Sequence, residues 1–129
     1  MRLLVDTHIA LWLMRDAPEL NAAARNIIKA ADEVFFSSAS MWEAAIKAAV
    51  GASVGKLPLD PVRFEEQLLL AGIQPLAVTW AHCLKLRELP PHHRDPFDRM
   101  LVAQALSEPL HLLTHDAALA AYGDLILLV

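Results

Sequence analysis

Leu3-Leu4-Val5-Asp6-Thr7 is a short apolar run that ends on a carboxylate. A run of the same kind, Leu112-Leu113-Thr114-His115-Asp116, lies near the other end of the chain. Apolar runs of this length predict buried strands. Either Asp could simply cap a following helix. Two strand ends that both close on Asp nevertheless favour a functional site, since an unpaired charge beside a buried sheet is very costly.

Between these two runs the sequence predicts strands that alternate with helices. Strands are predicted over 2–5, 34–36, 73–78, 110–114 and 125–128. Helices are predicted over 8–14, 21–31, from Ser38 or Ser40 to 50, 61–71, from 79 to before 90, 95–107 and 117–121. Such alternation implies parallel βαβ units, which bind ligands beyond the carboxyl ends of the strands. The 129 residues are expected to form a single domain, 1–129.

The composition excludes several classes of protein. The chain is 56% hydrophobic, but Lys47, Arg63 and Lys85 interrupt its apolar runs before they reach membrane-spanning length. Asp6 lies where a signal peptide would be apolar. Cys83 is the single cysteine, so we expect no disulfides, an inert buried thiol and a cytoplasmic protein. The net charge of −4 argues against a duplex-DNA coat. The apolar excess fits a buried interface or simply an Ala/Leu-rich core.

Three further carboxylates lie at predicted helix starts. Glu43 follows Ser40 by three residues and could complete a capping box. Asp95 and Asp98 fit the cap and third position of a helix that begins at Pro96. Carboxylates gathered in one place repel one another and raise each other's pKa. A hard divalent cation relieves both effects, so the acidic residues also predict a Mg²⁺ or Mn²⁺ site.

The remaining polar and aromatic candidates have weaker signals. His92 and His93 could bind metal, but adjacent histidines in a Pro-rich segment are expected to be solvated. His8 and His115 could contact a substrate phosphate or lie on the surface. Lys47 is placed for an i,i+4 ion pair with Glu43. Core or interface anchors are expected at Trp12, Trp42 and Trp80.

Taken in order, these motifs resemble the PIN-domain ribonucleases, and among them the VapC-type toxins of type II toxin–antitoxin systems. The resemblance is carried by Leu4-Val5-Asp6-Thr7-His8, Ser-x-Trp-Glu at 40–43, Arg-Asp-Pro-Phe-Asp-Arg-x-Leu-Val-Ala-Gln-Ala at 94–105 and Leu-Leu-Thr-His-Asp at 112–116. It covers the whole chain, and the Asp-Pro-Phe-Asp-Arg block is its most specific part. The segment Ala48–Lys56 departs from the related pattern, which has fewer residues there.

The resemblance implies an α/β fold: a three-layer α/β/α sandwich with a central parallel sheet of about five strands. It implies catalytic roles for Asp6, Glu43, Asp98 and Asp116. Asp6, Asp98 and Asp116 would hold Mg²⁺ or Mn²⁺, which lowers the pKa of a water and stabilises charge on the scissile phosphate. Residues expected around these carboxylates are Asp95, Thr7, Thr114 and Arg99.

The implied function is a metal-dependent endoribonuclease that acts as the toxin of a toxin–antitoxin pair. Its expected partners are RNA, a cognate antitoxin and a second copy of the chain, with no membrane. Arg94, Arg99 and Lys47 are candidate contacts to single-stranded or looped RNA. The alternative is a metal-dependent phosphatase that acts on small phosphoesters. A receiver-like signalling module is disfavoured, because Asp6 stands alone and Pro75-Leu76 lacks an acceptor Asp.

Overall fold

The computed structural model describes residues 1–51 and 60–129, and in these residues five strands form one sheet. The strands are β1 (Arg2–Val5), β2 (Glu33–Ser37), β3 (Gln74–Leu76), β4 (His111–Thr114) and β5 (Ile126–Leu128). All neighbouring strands are parallel, in the order β3-β2-β1-β4-β5. The expected central parallel sheet is therefore confirmed. The predicted strand 73–78 is shorter than expected and forms an edge, paired with β2 alone.

The helices follow the predicted order along the chain. They are α1 (Thr7–Met14), α2 (Ala22–Ala30), α3 (Ser38–Ala49), α4 (Pro61–Leu70), α5 (Trp80–Leu86) and α6 (Pro96–Ser107), with a 3₁₀ helix at Ala117–Tyr122. Asn21, Asp60, Thr79 and Asp95 cap the helices that follow them. These starts were predictable because a cap and its first turn are neighbours in sequence. Residues 52–59 lie outside the described part of the chain, and they include the second half of the segment Ala48–Lys56.

The two faces of the sheet bury different sets of side chains, which makes three layers. On one face Leu3 and Val5 of β1 pack with apolar residues of α1, α2 and α4. On the other face Leu4 packs with α6 and the 3₁₀ helix. The alternation follows from the two-residue period of a strand, and burial on both faces is typical of parallel sheets. The expected α/β/α sandwich is confirmed.

The chain order places the switch point of the sheet beside β1. The chain first extends the sheet from β1 through β2 to β3, and later returns to the opposite side of β1 to add β4 and β5. The carboxyl ends of β1 and β4 are therefore adjacent, with Val5 beside Leu113. Asp6 follows the first strand, and Thr114 ends the second. In sheets of this kind the crevice at the switch point is where ligands bind.

Several apolar side chains remain on the surface. Trp42 and Ile46 on α3 are 64% and 42% exposed, and Trp80 and Leu84 on α5 are 89% and 60% exposed. An apolar groove of about 420 Å³ runs between α3, α5 and the start of α6. Trp42 and Trp80 are therefore not core residues, which leaves the predicted interface role. No described helix is long and apolar enough to cross a membrane.

One expectation about the core is wrong. Cys83 lies in α5 as predicted, but it is exposed rather than buried. The buried face of this helix is occupied by His82, the neighbouring residue. A helix turns about 100° per residue, and α5 buries only a narrow face, so the residue next to His82 points to solvent. The chain thus buries a histidine where the sequence suggested a thiol.

Candidate active site

Asp6 is held at the end of β1 by a hydrogen bond to each carboxylate oxygen. Oδ1 accepts from the backbone N–H of Ile9 at 2.9 Å, which makes Asp6 the N-cap of α1. Oδ2 accepts from the buried hydroxyl of Thr114, at the end of β4, at 2.6 Å. Burial raises the pKa of Asp6, although these two hydrogen bonds oppose the shift. The carboxylate is thus fixed by the two strands at the switch point.

The carboxylate of Glu43 accepts a hydrogen bond from α1, across the site, and does not cap the start of its own helix. Its Oε1 accepts from the hydroxyl of Thr7 at 2.8 Å, and its Oε2 pairs with Lys47 Nζ at 3.1 Å, as the i,i+4 spacing predicted. The alternative capping box with Ser40 is wrong. Ser37, not Ser38 or Ser40, caps α3, because it ends β2 with an extended backbone and accepts from Ala39 N–H. The buried Ser40 hydroxyl has no hydrogen-bond partner among the described residues.

The two threonines near the carboxylates serve those carboxylates directly. The hydroxyl proton of Thr7 goes to Glu43, and that of Thr114 goes to Asp6. Thr114 is fully buried and Thr7 nearly so. The two hydroxyl groups therefore orient the acidic side chains and are not presented to a substrate.

Asp95 and Asp98 stand together at the N-terminus of α6. Asp95 Oδ1 accepts from the backbone N–H groups of Phe97 and Asp98, at 2.8 and 3.1 Å, as the predicted cap. Asp98 lies one turn into the helix. Burial, then the negative charges of Asp95 and Asp6, raise the pKa of Asp98 to about 7. The fold thus holds this carboxylate where its charge is poorly compensated.

Asp116 follows β4 and is oriented by two donors. Its Oδ1 accepts from the backbone N–H of Ala118 at 3.0 Å, and its Oδ2 accepts from His93 Nε2 at 2.7 Å. Partial burial raises the pKa of Asp116, but the hydrogen bonds from His93 and Ala118 outweigh it, and the pKa is lowered overall. His93 Nε2 is also 3.5 Å from Asp98 Oδ2. His93 therefore lies between the carboxylates of α6 and of the β4 end.

These side chains border one open pocket of about 360 Å³. Its lining is Asp6, Thr7, His8, Trp12, Glu43, Lys47, Asp95, Asp98, His115 and Asp116. The four acidic residues that the sequence singled out lie in this pocket together with Asp95. Lys47 is the lysine on its wall, and its charge is paired with Glu43. The pocket is strongly acidic.

The donor set of this pocket suits a hard divalent cation. Oxygens of Asp98 and Asp116 and a ring nitrogen of His93 lie within 4.8 Å of one another. Asp6 and Asp98 both have raised pKa values, which shows that the fold leaves their negative charge uncompensated. A bound cation would supply that compensation, and Mg²⁺ and Mn²⁺ prefer carboxylate oxygens.

Arg99, expected around the carboxylates, lies behind the pocket. Its Nη1 is 3.4 Å from the carbonyl oxygens of Pro90 and His93. Tyr122 Oη accepts from the backbone N–H of His93 at 3.1 Å and donates to Pro90 O at 2.9 Å. Arg99 and Tyr122 thus fix the backbone of the loop that carries His93. They reach the acidic residues only through that loop.

His93 is the site residue that the sequence analysis considered as a metal ligand but set aside as solvated. Its side chain is 16% exposed, so the expectation of a solvated histidine is wrong. His92 is exposed as expected, with its ring against Tyr122. The local signal is slight, because His93 precedes Asp95 by two residues but its partner Asp116 is 23 residues away. Only the packing of the 3₁₀ helix against the loop brings the two together.

Comparison with known protein families identifies the class. The model of the PIN domain matches residues 3–125. The chain therefore belongs to the PIN domain family. No curated protein sequence matches it significantly.

Solved structures show the same fold at low sequence identity. VapBC2 from Rickettsia felis, bound to a promoter DNA fragment, matches with a TM-score of 0.69 at 14% identity, covering 100% of this chain and 98% of that one. VapBC-1 from nontypeable Haemophilus influenzae matches with a TM-score of 0.61 at 20% identity, covering 95% and 92%. VapC20 from Mycobacterium tuberculosis, a Sarcin-Ricin loop cleaving toxin, matches with 0.63 at 15% identity, covering 94% and 95%. At these identities the likeness establishes the fold.

Proposed function

We propose that this chain is a divalent-metal-dependent endoribonuclease and the VapC-type toxin of a toxin–antitoxin pair. The observation that carries the proposal is the gathering of Asp6, Glu43, Asp98 and Asp116 in one pocket at the switch point of the sheet. Membership of the PIN family supports nuclease chemistry. The matched toxins and toxin–antitoxin complexes support the biological role. Residues 1–129 would form this single nuclease domain.

In this proposal Asp6, Asp98 and Asp116 hold Mg²⁺ or Mn²⁺. The ion, when bound, stabilises charge on the scissile phosphate and makes water a better nucleophile. Thr114 and the backbone N–H of Ile9 keep Asp6 pointed at the pocket. The position of Asp98 is set by the rigid first turn of α6. Asp6 and Asp116 are thus held by hydrogen bonds before the ion arrives, which reduces the cost of organising the site.

Glu43 would act beside these three residues. Thr7 and Lys47 hold its two oxygens, so the side chain has a defined orientation across the pocket. We assign it to the positioning of the attacking water or of a second ion. Lys47 could then turn to a phosphate oxygen of the RNA when substrate binds, because its ammonium is partly exposed.

The substrate would be RNA presented as a single strand or loop. One wall of the pocket is a row of rings, in which Trp12 lies 5.9 Å from His8 and 5.4 Å from His115 between ring centroids. Unpaired bases stack on such side chains, whereas bases in a duplex are already stacked. Arg94, exposed just before α6, would contact the phosphate backbone.

The partners follow from the charge and apolarity of the surface. The acidic pocket suits an Arg or Lys from a basic antitoxin segment, which would pair with the carboxylates and compete with metal. The exposed apolar side chains of α3 and α5 suit a second copy of the chain. In this role the protein would work in the cytoplasm, where its RNA substrates are.

The test is cleavage of RNA by the purified chain after removal of metal and its return. Wild type should cut single-stranded RNA only with Mg²⁺ or Mn²⁺, and Asp6→Asn or Asp98→Asn should abolish cleavage. Asp95→Asn is the matched control, because Asn also caps helices and Asp95 lies beside the proposed ligands. It should lose much less activity than Asp98→Asn.

Two outcomes would reject the proposal. One is metal-independent cleavage that survives Asp6→Asn, which would point to a contaminating nuclease. The other is hydrolysis of an aryl phosphate with no cut in RNA, which would identify a phosphatase.

A further inference from the structure

The hydrogen bonds of His93 indicate which of its ring nitrogens carries the proton. Its Nδ1 accepts the backbone N–H of Asp95 at 3.0 Å, so this nitrogen presents a lone pair. A neutral imidazole then carries its proton on Nε2. That Nε2 lies 2.7 Å from Asp116 Oδ2, at the distance of a strong bond from N–H to carboxylate.

This tautomer decides between two roles for the ring. The nearness of His93, Asp98 and Asp116 suggests three ligands of one cation. A nitrogen that carries a proton cannot ligate metal, and the lone pair on Nδ1 is used by Asp95. We infer that His93 is a positioning residue that fixes the orientation of Asp116 by donating from Nε2, and not a metal ligand.

Several hydrogen bonds fix the position of His93 and of its Nε2 donor. Its backbone N–H donates to Tyr122 Oη, and its carbonyl oxygen accepts from Arg99. The ring nitrogen Nδ1 accepts from the backbone N–H of Asp95, the N-cap of α6. Asp116 is fixed at its other oxygen by the N–H of Ala118. Asp116 is thereby held from two sides, and the His93 bond ties its carboxylate to α6, the helix that carries Asp98.

The effect on metal binding rests on the proposed function, because there Asp116 is taken as a ligand. The assignment of the tautomer does not rest on the proposed function. Partners that orient a ligand commonly contribute tenfold to a hundredfold to metal affinity. The competing interpretation is that His93 only braces the loop through its bond to Asp95. The two bonds of the ring are separable by substitution.

Asparagine and glutamine each retain one of the two bonds. His93→Asn places an amide oxygen where Nδ1 stood, which keeps the bond to Asp95 N–H but cannot reach Asp116. His93→Gln places an amide nitrogen where Nε2 stood, which keeps the donor to Asp116 and gives up the bond to Asp95. A positioning role predicts loss in the Asn variant and retention in the Gln variant, and a bracing role predicts the reverse.

The first measurement is the tautomer of His93 in the metal-free protein, from nitrogen-15 NMR of the imidazole rings. We expect the proton on Nε2 and a lone pair on Nδ1. A proton on Nδ1 with an unprotonated Nε2 would overturn the inference, since Nε2 could then ligate a metal.

The second measurement is the affinity for Mn²⁺, from titration followed by electron paramagnetic resonance. His93→Asn should weaken binding roughly tenfold to a hundredfold, and His93→Gln should stay close to wild type. In an Asp116→Asn background, His93→Asn should change affinity by no more than about twofold, because the shared partner is already lost. Equal affinities, or the reverse order, would overturn the role.

Cleavage of RNA by the wild-type protein tests the proposed function independently of the role of His93. If wild type cuts RNA while both variants bind Mn²⁺ equally, the inference about His93 fails and the proposed function stands. If the variants bind Mn²⁺ in the expected order but wild type cuts no RNA, the proposed function fails and the inference stands.

Discussion

Asp98 is the residue whose surroundings most strongly disfavour its charged form. Burial is the main reason that its pKa rises from 3.8 to about 7. Asp95 and Asp6 add to the rise, and His93 partly offsets it. A raised folded-state pKa means that the folded chain holds a proton which the unfolded chain has lost. Stability from Asp98 is therefore fully present below about pH 3.8 and is lost as the pH rises through about 7.

Asp98→Asn should therefore stabilise the metal-free protein at high pH. The variant gives up the favourable helix-terminus charge, about 0.3–1 kcal/mol. It also removes a penalty that grows by about 1.4 kcal/mol per pKa unit, which is the larger effect. Urea unfolding with a chelator should show a higher midpoint for the variant at about pH 8, with a smaller gap at about pH 4. A lower midpoint at the higher pH would show that the carboxylate stabilises the apo fold.

Trp12 is the second residue whose surroundings suggest a measurable role. It packs partly against the core and also forms a wall of the pocket between His8 and His115. If a base stacks there, Trp12→Leu should lower kcat/KM on single-stranded RNA by roughly tenfold or more. Trp12→Phe keeps a ring and should lose much less. Equal losses in both variants would assign Trp12 to packing alone.

At the level of elements, α5 and α6 are joined by a buried histidine. His82 Nδ1 accepts from the backbone N–H of Thr79 at 3.0 Å, and its Nε2 lies 2.7 Å from Glu108 Oε1. One ring thus completes the capping box of α5 and reaches the C-cap of α6. Because α6 begins at the pocket, this contact holds the helix at the end opposite to Asp98.

His82→Ala should destabilise the fold without touching the chemistry. It leaves the Thr79 N–H and a half-buried Glu108 without their partner, a loss of roughly 1–3 kcal/mol. Denaturant unfolding should show this loss, while cleavage per folded molecule stays at the wild-type level. His82→Gln, which keeps a donor towards Glu108, should lose less. An unchanged midpoint in the Ala variant would show that the buried contact contributes nothing.

On the scale of the whole molecule, a metal ion in the acidic pocket would couple folding to metal concentration. A cation that binds only the folded chain stabilises it by mass action, about 2.7 kcal/mol at a hundred times its Kd. Mg²⁺ and Mn²⁺ should both raise the thermal midpoint, Mn²⁺ at lower concentration because of its greater affinity for such donors. The double variant Asp6→Asn/Asp98→Asn should not respond. A wild type without any shift would argue against the metal site.

The exposed apolar side chains predict association of whole chains. Trp42 lies on α3, and Trp80 and Leu84 lie on α5, and all three side chains are largely exposed. Light scattering should report a dimer or larger for the isolated chain, which should be toxic when expressed without its antitoxin. Trp80→Ser/Leu84→Ser should shift the protein towards monomer. A wild type that is a harmless monomer would contradict both the dimer and the toxin assignment.

The order of strands and helices and most helix starts can be predicted from the sequence alone. Asp60, Thr79 and Asp95 were predictable as caps because each bonds to residues within its own first turn. Asp6 and Asp116 were predictable at strand ends, since an apolar run and the polar residue that ends it are adjacent in the chain. From there, parallel βαβ units place such ends at one edge of the sheet.

The contacts that those residues make with distant parts of the chain depend on how the layers pack. His93 meets Asp116, and Thr114 meets Asp6, across 23 and 108 residues of chain. The choice of Ser37 as cap, in place of Ser40, depended on where β2 ends. Cys83 is exposed and not buried as expected, because the orientation of α5 on the core turns His82 inward. Local hydrogen bonding can be read from spacing, whereas these contacts arise only when the packed layers bring distant segments together.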